Sequence, residues 1–519
     1  MPSLAFDLRL DPTDAPRLPR HPAFSGARRA RRPAALRIVW HDTPDGALAT
    51  AGLSLAEHTL GRETSWRLER LGPVAGELWI PGTHSPPLCQ ATDLADMTMR
   101  LARRLPAGLA PCAGFEGQLR SIVLPDGAAL DGQSADAVRV SLVSGQLRTA
   151  ASAREVCRAH IAGPASRVGP LLLGLIEGTR LAVPAVGLAA EARAMACLAN
   201  PPPRLGAPTL PDAERAGASA IDAAFAHIVA HLLGVILHHA ARALAGEAPE
   251  PVHQMRVALR RLRSAFGLFK DVVGCGALDA AQADLKAFAA VLGPARDWDV
   301  FLAGTCQNVV AAFPDDDAVR RMAARATRQR DMGYKALLAD LDSARFRRMA
   351  LNLAVLAATR PWRDAARPAH PEPAEETQPS PVGGPPAQPV DLSAFAARAL
   401  NRRLKRVLAA GEDISGLPAE ALHDIRLNGK RLRYAAEFFA QLFPGRDTRR
   451  FLRRMTVLQE RLGHLNDGNV AAGLMAEIGL ARSYAGGVVR GVVAAGGADA
   501  RGRIARGWKR FRRQEPFWE

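Results

Sequence analysis

The residues best placed to do chemistry are the cations of "VHQMRVALRRLR", Val252 to Arg263. His253, Arg256, Arg260, Arg261 and Arg263 fall in this stretch, and no Asp or Glu accompanies them. On a helix, positions i, i+3, i+7 and i+10 fall within an arc of roughly 80°. His253, Arg256, Arg260 and Arg263 would therefore share one face, in a stripe about 15 Å long at the α-helical rise. Arg261 lies roughly 80° round from His253, at the edge of that stripe. Another side carries Met255, Leu259, Leu262, Phe266 and Phe269, the spacing of a core-facing surface.

The arrangement occurs twice. "LHDIRLNGKRLR" begins at Leu422 and places His423, Arg426, Lys430, Arg431 and Arg433 each 170 positions after its counterpart. The same offset relates "LGPARDWDV" at Leu292 to "LGHLNDGNV" at Leu462, so Asp297 falls on Asp467. Two motifs holding one offset indicate an internal duplication. Like charges one turn apart cost a few tenths of a kcal/mol each, so folding alone gives no reason to keep the stripe in both copies. A linear polyanion does, because it neutralises the stripe and accepts charge-assisted hydrogen bonds. Histidine adds a donor whose charge responds near neutral pH.

Further basic stripes at helical spacing are Arg321, Arg325, Arg328 and Lys335; Arg398, Arg402 and Lys405; and Arg503, Arg506, Arg510 and Arg513. A single stripe of this kind is more often a solvated face than a site. Asp297 and Asp467 are read as structural carboxylates that orient a motif arginine or cap a helix. His227, His231 and His238 share a helical face, but no acidic or thiol partner accompanies them, so they read as a polar face and not as a metal site.

Composition agrees with an anionic partner. The chain has 519 residues, with 68 Lys and Arg against 51 Asp and Glu, a formal net charge of +17. That balance favours a polyanion: nucleic acid, anionic lipid or a phosphate polymer. Arginine supplies most of the charge, and its planar fork suits bidentate phosphate contacts. Six scattered cysteines without a CxxC pair read as reduced thiols. The N-terminus lacks a secretory pattern, and the apolar run "HIVAHLLGVIL" is shorter than the ~20 residues a bilayer needs, so a cytoplasmic protein without membrane spans is expected.

The length predicts several domains. Through about residue 200, "ALRIVWHDTP", "SWRLERLG", "GELWIPG" and "AVRVSLVSGQLR" read as antiparallel strands, with helices near Leu94–Leu105 and Arg167–Gly178. A Pro-rich linker at 201–217 follows. Helical periodicity then fills 218–359 and 393–519, on either side of a Pro-rich insert at 360–392.

With these residues in place, 218–519 resembles the CHAD domain, the conserved histidine α-helical domain. The resemblance rests on both His-x-x-Arg-x-x-x-[Arg/Lys]-Arg-x-Arg helices, on "LGPARDWDVF" and "LGHLNDGNVA", and on the closing "GWKRF…PFW". It implies two four-helix bundles around a basic groove, binding of inorganic polyphosphate, and association with polyphosphate granules. Residues 1–200 resemble a CYTH domain, an antiparallel barrel or triphosphate tunnel, through "VWHDTPDGALATAGLSL". That family opens on Glu-x-Glu-x-Lys, whereas this chain has Ala5, Asp7 and Arg9. Hydrolysis in such a tunnel needs carboxylates for a divalent metal and cations for the phosphates. With most of those carboxylates absent, the domain reads as a degenerate CYTH fold.

The expected architecture is thus an α+β multidomain chain. The expected function is non-catalytic polyphosphate binding by His253, Arg256, Arg260, Arg261, Arg263, His423, Arg426, Lys430, Arg431 and Arg433, extended by Arg321, Arg325, Arg328, Arg402, Lys405 and Arg506. No cofactor is expected; Mg or Mn would enter only if the tunnel were active, with Asp7, Arg9, Arg37, Arg67 and Arg70 as a residual phosphate site. Two alternatives remain open: a metal-dependent triphosphatase in the first domain, and general polyanion or RNA binding. RNA is disfavoured because aromatics make up only 5% and do not interleave with the stripes.

Overall fold

The structure is a computed structural model. It describes residues 3–363, except 31, 73–76, 85, 102–103, 126–135, 197–207, 209 and 211–219, and then residues 391–519. Apart from Pro208 and Leu210, the linker expected at 201–217 lies outside the described residues, as does most of the insert at 360–392. The chain divides into two compact units: one holds residues 1–206 with Val229–Met255 and Leu338–Thr359, the other holds the remainder.

The first unit is built on an antiparallel sheet. Its strands are β1 (Ser3–Leu10), β2 (Arg28–Arg29), β3 (Ala34–Asp42), β4 (Leu53–Leu60), β5 (Glu63–Arg70), β6 (Cys89–Ala91), β7 (Ala110–Leu124), β8 (Val138–Arg148) and β9 (Ala153–Pro164). They run in the order β1-β9-β8-β7-β3-β4-β5-β6, with β2 paired to β7. The sheet curls: Phe6 of β1 forms a bridge with Thr83, in the segment that leads from β5 to β6. One face buries Leu36, Ile38, Trp40, Phe115, Leu147 and Val156 against a short helix, α4. In chain order the helices of this unit's N-terminal part are α1 (Ala47–Thr50), α2 (Leu94–Arg100), α3 (Ala165–Ile176) and α4 (Leu188–Met195).

Two expectations here change. "GELWIPG" is not a strand over Glu77–Ile80, because Pro81 and Gly82 turn the chain there, Gly82 with φ of 78°. The backbone N–H of Asp7 instead donates to the Gly82 carbonyl at 2.7 Å. The helix at Leu94 stops at Arg100, with Leu101 as its C-cap.

The helical region comprises α5 (Ala220–Leu244), α6 (Glu250–Val273), α7 (Gly276–Phe301), α8 (Gln307–Ala312), α9 (Asp317–Leu341), α10 (Ala344–Thr359), α11 (Leu392–Leu408), α12 (Ala419–Phe439), α13 (Arg446–Glu477) and α14 (Tyr484–Arg512). The duplication is visible in these limits. Gly276 and Arg446, the first residues of α7 and α13, are again 170 apart. The copies differ after α7, where a π-helical turn at Leu302–Cys306 leads into α8, while α13 runs on unbroken for 32 residues.

The motif helices are amphipathic for the reason their spacing predicts. Met255, Leu259, Leu262, Phe266 and Phe269 of α6 are all buried. In the second unit Phe225, Phe269, Phe395 and Phe439 bring α5, α6, α11 and α12 together, with ring centroids 5.2–6.1 Å apart. A second core there joins α7, α9, α13 and α14 through Trp298, Phe301, Met322, Met475 and Val489. Helix α5 extends the apolar run beyond its sequence estimate: 25 residues with a mean hydropathy of 1.9 in its most apolar window are enough to cross a membrane by length and composition. That window is 83% buried inside the protein, the environment of a core helix.

Candidate anion site

The core stripe of each motif helix fixes where its cations go. Arg256 and Arg260 of α6 and Arg426 and Arg433 of α12 lie close enough to Lys430 of α12 to act on it electrostatically. Burial, with Arg256 and Arg433 alongside, pushes the Arg260 guanidinium below its ordinary value, against the opposing pull of Tyr434 and Asp297. Lys430 is affected more. Burial, then Arg426, Arg260, Arg433 and Arg256, push its ammonium down to about 7.

Among the described residues, Asp297 and Glu437 are carboxylates paired with members of this cluster. Asp297 of α7 pairs with Arg256 at 2.9 Å, and the Gly293 carbonyl accepts from the same guanidinium at 3.1 Å. Asp297 is thus placed as an orienting carboxylate. The side chain of its counterpart Asp467 lies outside the described residues. Glu437 of α12 takes two hydrogen bonds from Arg261, at 2.7 and 3.1 Å, and stands 3.5 Å from Arg433. The Arg433 guanidinium also lies over the Tyr434 ring, 5.3 Å from its centroid. The Nε atoms of Arg260 and Arg433 and the Tyr434 hydroxyl are sealed from solvent without a hydrogen-bond partner among the described residues. Buried polar groups ordinarily find hydrogen-bond partners, and of these three the Arg433 Nε has the Glu437 carboxylate 3.5 Å away.

The two copies are not equivalent in detail. Arg261, expected at the rim, is drawn in by Glu437, and both are only 18% exposed. Arg263, expected on the shared face, is exposed, while its duplicate Arg433 is half-buried. Position 267, the counterpart of Glu437, is glycine, so no carboxylate performs the mirror contact; Arg431 is exposed and reaches Asn428 instead. His253 and His423 sit half-buried at the starts of the two stripes. Of the outlying stripes, Arg321, Arg325 and Arg328 are exposed on α9, with Arg325 reaching the Ile478 carbonyl at 3.4 Å. Arg506 is exposed on α14, and Arg402 and Lys405 on α11. None of these six is hydrogen-bonded or ion-paired to the cluster among the described residues. His227, His231 and His238 lie along α5, His238 against His239, and no group of three metal-ligating side chains is found among the described residues.

In the sheet unit, strand registers place Asp7, Arg9, Arg158, His160, Arg67 and Glu69 on one face. Arg37 and Arg70 fall on the other, paired with Glu116 and Glu77, so they leave the residual site. Arg158, 3% exposed, lies 3.8 Å from Asp7 and 2.5 Å from Glu191 of α4. Glu69 is held protonated more readily than usual by burial, with His84 and Arg67 opposing this and Asp7 adding to it. Burial drives His58 down to about 3. Glu69, His84 and His160 carried no signal in the motifs. Only the alternation of "SWRLERLG", with Arg67 and Glu69 two residues apart, hinted at an inward polar pair.

The fold and the cluster together define an internally duplicated helical domain whose two signature helices meet in a cationic centre. Residues 227–476 match the family described as CHAD domain, and this region of the chain is a CHAD domain. With the antiparallel sheet that precedes it in the sequence, the chain has an α+β multidomain fold. Among solved structures, the CHAD domain of the plant Ricinus communis is 28% identical, with a TM-score of 0.44 over 56% of this chain and 91% of that one. PptA from Streptomyces chartreusis is 18% identical, with a TM-score of 0.39 over 56% of this chain and 98% of that one. HpAC1 from Hippeastrum, described as having a dominant triphosphatase activity, is 14% identical, with a TM-score of 0.28 over 37% and 96%. No curated protein matches the chain.

Proposed function

We propose that this protein binds inorganic polyphosphate through the cluster between α6 and α12, without breaking the polymer down, and that this binding places it at polyphosphate granules. The observation that supports the reading is the gathering of four cations, Arg256, Arg260, Arg426 and Arg433, around Lys430, with Asp297 and Glu437 as carboxylates paired with members of the group among the described residues. A chain of phosphates supplies anionic charge and hydrogen-bond acceptors, and arginine forks suit its oxygens. His253, His423, Arg261, Arg263 and Arg431 serve as flanking contacts in this reading. Calorimetry or a gel shift with long-chain polyphosphate tests it; the complex should weaken steeply as salt rises, as phosphate-backbone binding does.

Glu437 is the internal competitor for that ligand. In Glu437→Gln, polyphosphate should bind more tightly, by about tenfold for one charge removed at close range. The same variant should melt at a lower temperature, because Arg261 loses its partner while half-buried. Parallel titration and melting curves read both effects.

RNA is the weaker alternative. Tyr434, the aromatic beside the cluster, is buried and presents no open ring for base stacking. Competition between polyphosphate and RNA at equal phosphate concentration separates the two ligands. For the sheet unit, a metal-dependent triphosphatase keeps one supporting observation, the placement of Asp7 and Glu69 on a face with Arg9 and Arg67. Mg- or Mn-dependent phosphate release from tripolyphosphate, lost in Asp7→Ala, would establish that activity.

A further inference from the structure

The last turns of α11 carry Arg402, Arg403, Lys405 and Arg406 without an acid. Cations at a helix C-terminus interact favourably with the helix dipole, which accounts for the exposed Lys405 and Arg406. It does not account for Arg403. This side chain is half-buried, and its Nε is sealed from solvent with no hydrogen-bond partner among the described residues. Burial, then Arg402, Arg406 and Arg431 of α12, push its guanidinium down to about 10, opposed by Asp271. Asp271 is itself engaged by Arg402 at 3.1 Å, in an exposed pair that contributes little.

Nor does the duplication explain this group. Helix α5 precedes α6 as α11 precedes α12, yet its lone basic residue of the Lys/Arg type is Arg242 near the C-terminal end. The basic surface is therefore an addition to the second copy alone. Arg431 ties it to the first cluster, because Lys430 and Arg431 are neighbours on α12: Lys430 stands among the α6 arginines, and Arg431 stands among those of α11.

We propose that Arg402, Arg403, Arg406 and Arg431 form a second anion subsite, which takes phosphate groups of a chain already held between α6 and α12. The inference rests on the polyphosphate reading above and adds a direction to it: the chain leaves the central cluster toward α11. A ligand long enough to reach both subsites gains from the high effective concentration of the second contact; a short one does not.

The test is titration of the full chain with tripolyphosphate and with long-chain polyphosphate, for the unaltered protein and for Arg403→Gln/Arg406→Gln. The unaltered protein should bind the long chain at least tenfold more tightly per molecule after correction for the number of starting positions along the polymer. The double variant should lose about tenfold for the long chain, with a salt slope reduced by about two, and keep its affinity for tripolyphosphate. Arg406→Ala alone, at an exposed position, should give part of the same loss and guards against a folding defect in the double variant. An equal loss for both ligands, or no loss for either, overturns the second subsite while leaving the central cluster intact. No binding of either ligand by the unaltered protein overturns the central reading and the subsite with it.

Discussion

Replacing Arg260, Lys430 and Arg433 by glutamine in one chain should abolish measurable polyphosphate binding and raise the melting temperature of the free protein. Both effects have one cause. Burial and neighbouring cations oppose the charge of Arg260 and of Lys430, and Arg433 is one of the cations that act on both. A buried polar group without a partner costs about 1–3 kcal/mol, and more when charged. Relieving that cost stabilises the fold. Charge-assisted hydrogen bonds contribute about 1.5–3 kcal/mol each, so losing three of them removes a thousandfold or more of affinity. A core role predicts the opposite sign for stability, because truncating a packed side chain destabilises. The pairing of gained stability with lost affinity is what separates a binding site from a structural charge network. Calorimetric titration and differential scanning calorimetry on the same preparation read the two quantities.

Polyphosphate binding should take up a proton near neutral pH and weaken as pH rises through 7 and above. Lys430 titrates near 7 in the free protein against an ordinary 10.5. Phosphates placed beside it favour the ammonium form and raise that value, so between about pH 7 and 10 the complex holds a proton that the free protein lacks. Without ligand the sign for folding follows from the same shift. The unfolded chain binds more protons than the folded one over pH 7 to 10.5, so this residue makes stability rise with pH across that window. In Lys430→Arg the side chain stays charged, and proton uptake from this position should vanish while binding persists above pH 8. Titrations in buffers of different ionisation enthalpy measure the uptake. Binding enthalpies that are identical across buffers for both proteins would refute the coupling.

Much of the helical half could be read from side-chain types alone. The spacing of Met255, Leu259, Leu262, Phe266 and Phe269 dictates which side of α6 is buried, and a duplicated stripe with one offset dictates a second helix like the first. What the sequence could not convey was how unequal the copies become on packing. Arg261 and Arg431 are equivalent by number, yet among the described residues Arg261 meets a carboxylate and Arg431 does not, because Glu437 replaces the glycine at 267 and lies on the other helix. Arg403 was likewise invisible: it falls outside the Arg398, Arg402 and Lys405 stripe, and its burial depends on α12 lying alongside α11. In the sheet unit, alternation revealed the strands, but the faces of Arg37 and Arg70 depend on register, and a shift of one residue turns a side chain to the opposite side.

The central claim is that the α6–α12 cluster is a polyphosphate site that the free protein holds under electrostatic stress. The shift in melting temperature on adding long-chain polyphosphate tests it most directly, since a ligand that binds only the folded state stabilises it by mass action. The protein should melt several degrees higher with polyphosphate than without, and higher than with RNA at the same phosphate concentration. The Arg260→Gln/Lys430→Gln/Arg433→Gln variant should melt at one temperature under all three conditions. A shift of equal size in the variant, or no shift in the unaltered protein, would contradict the account.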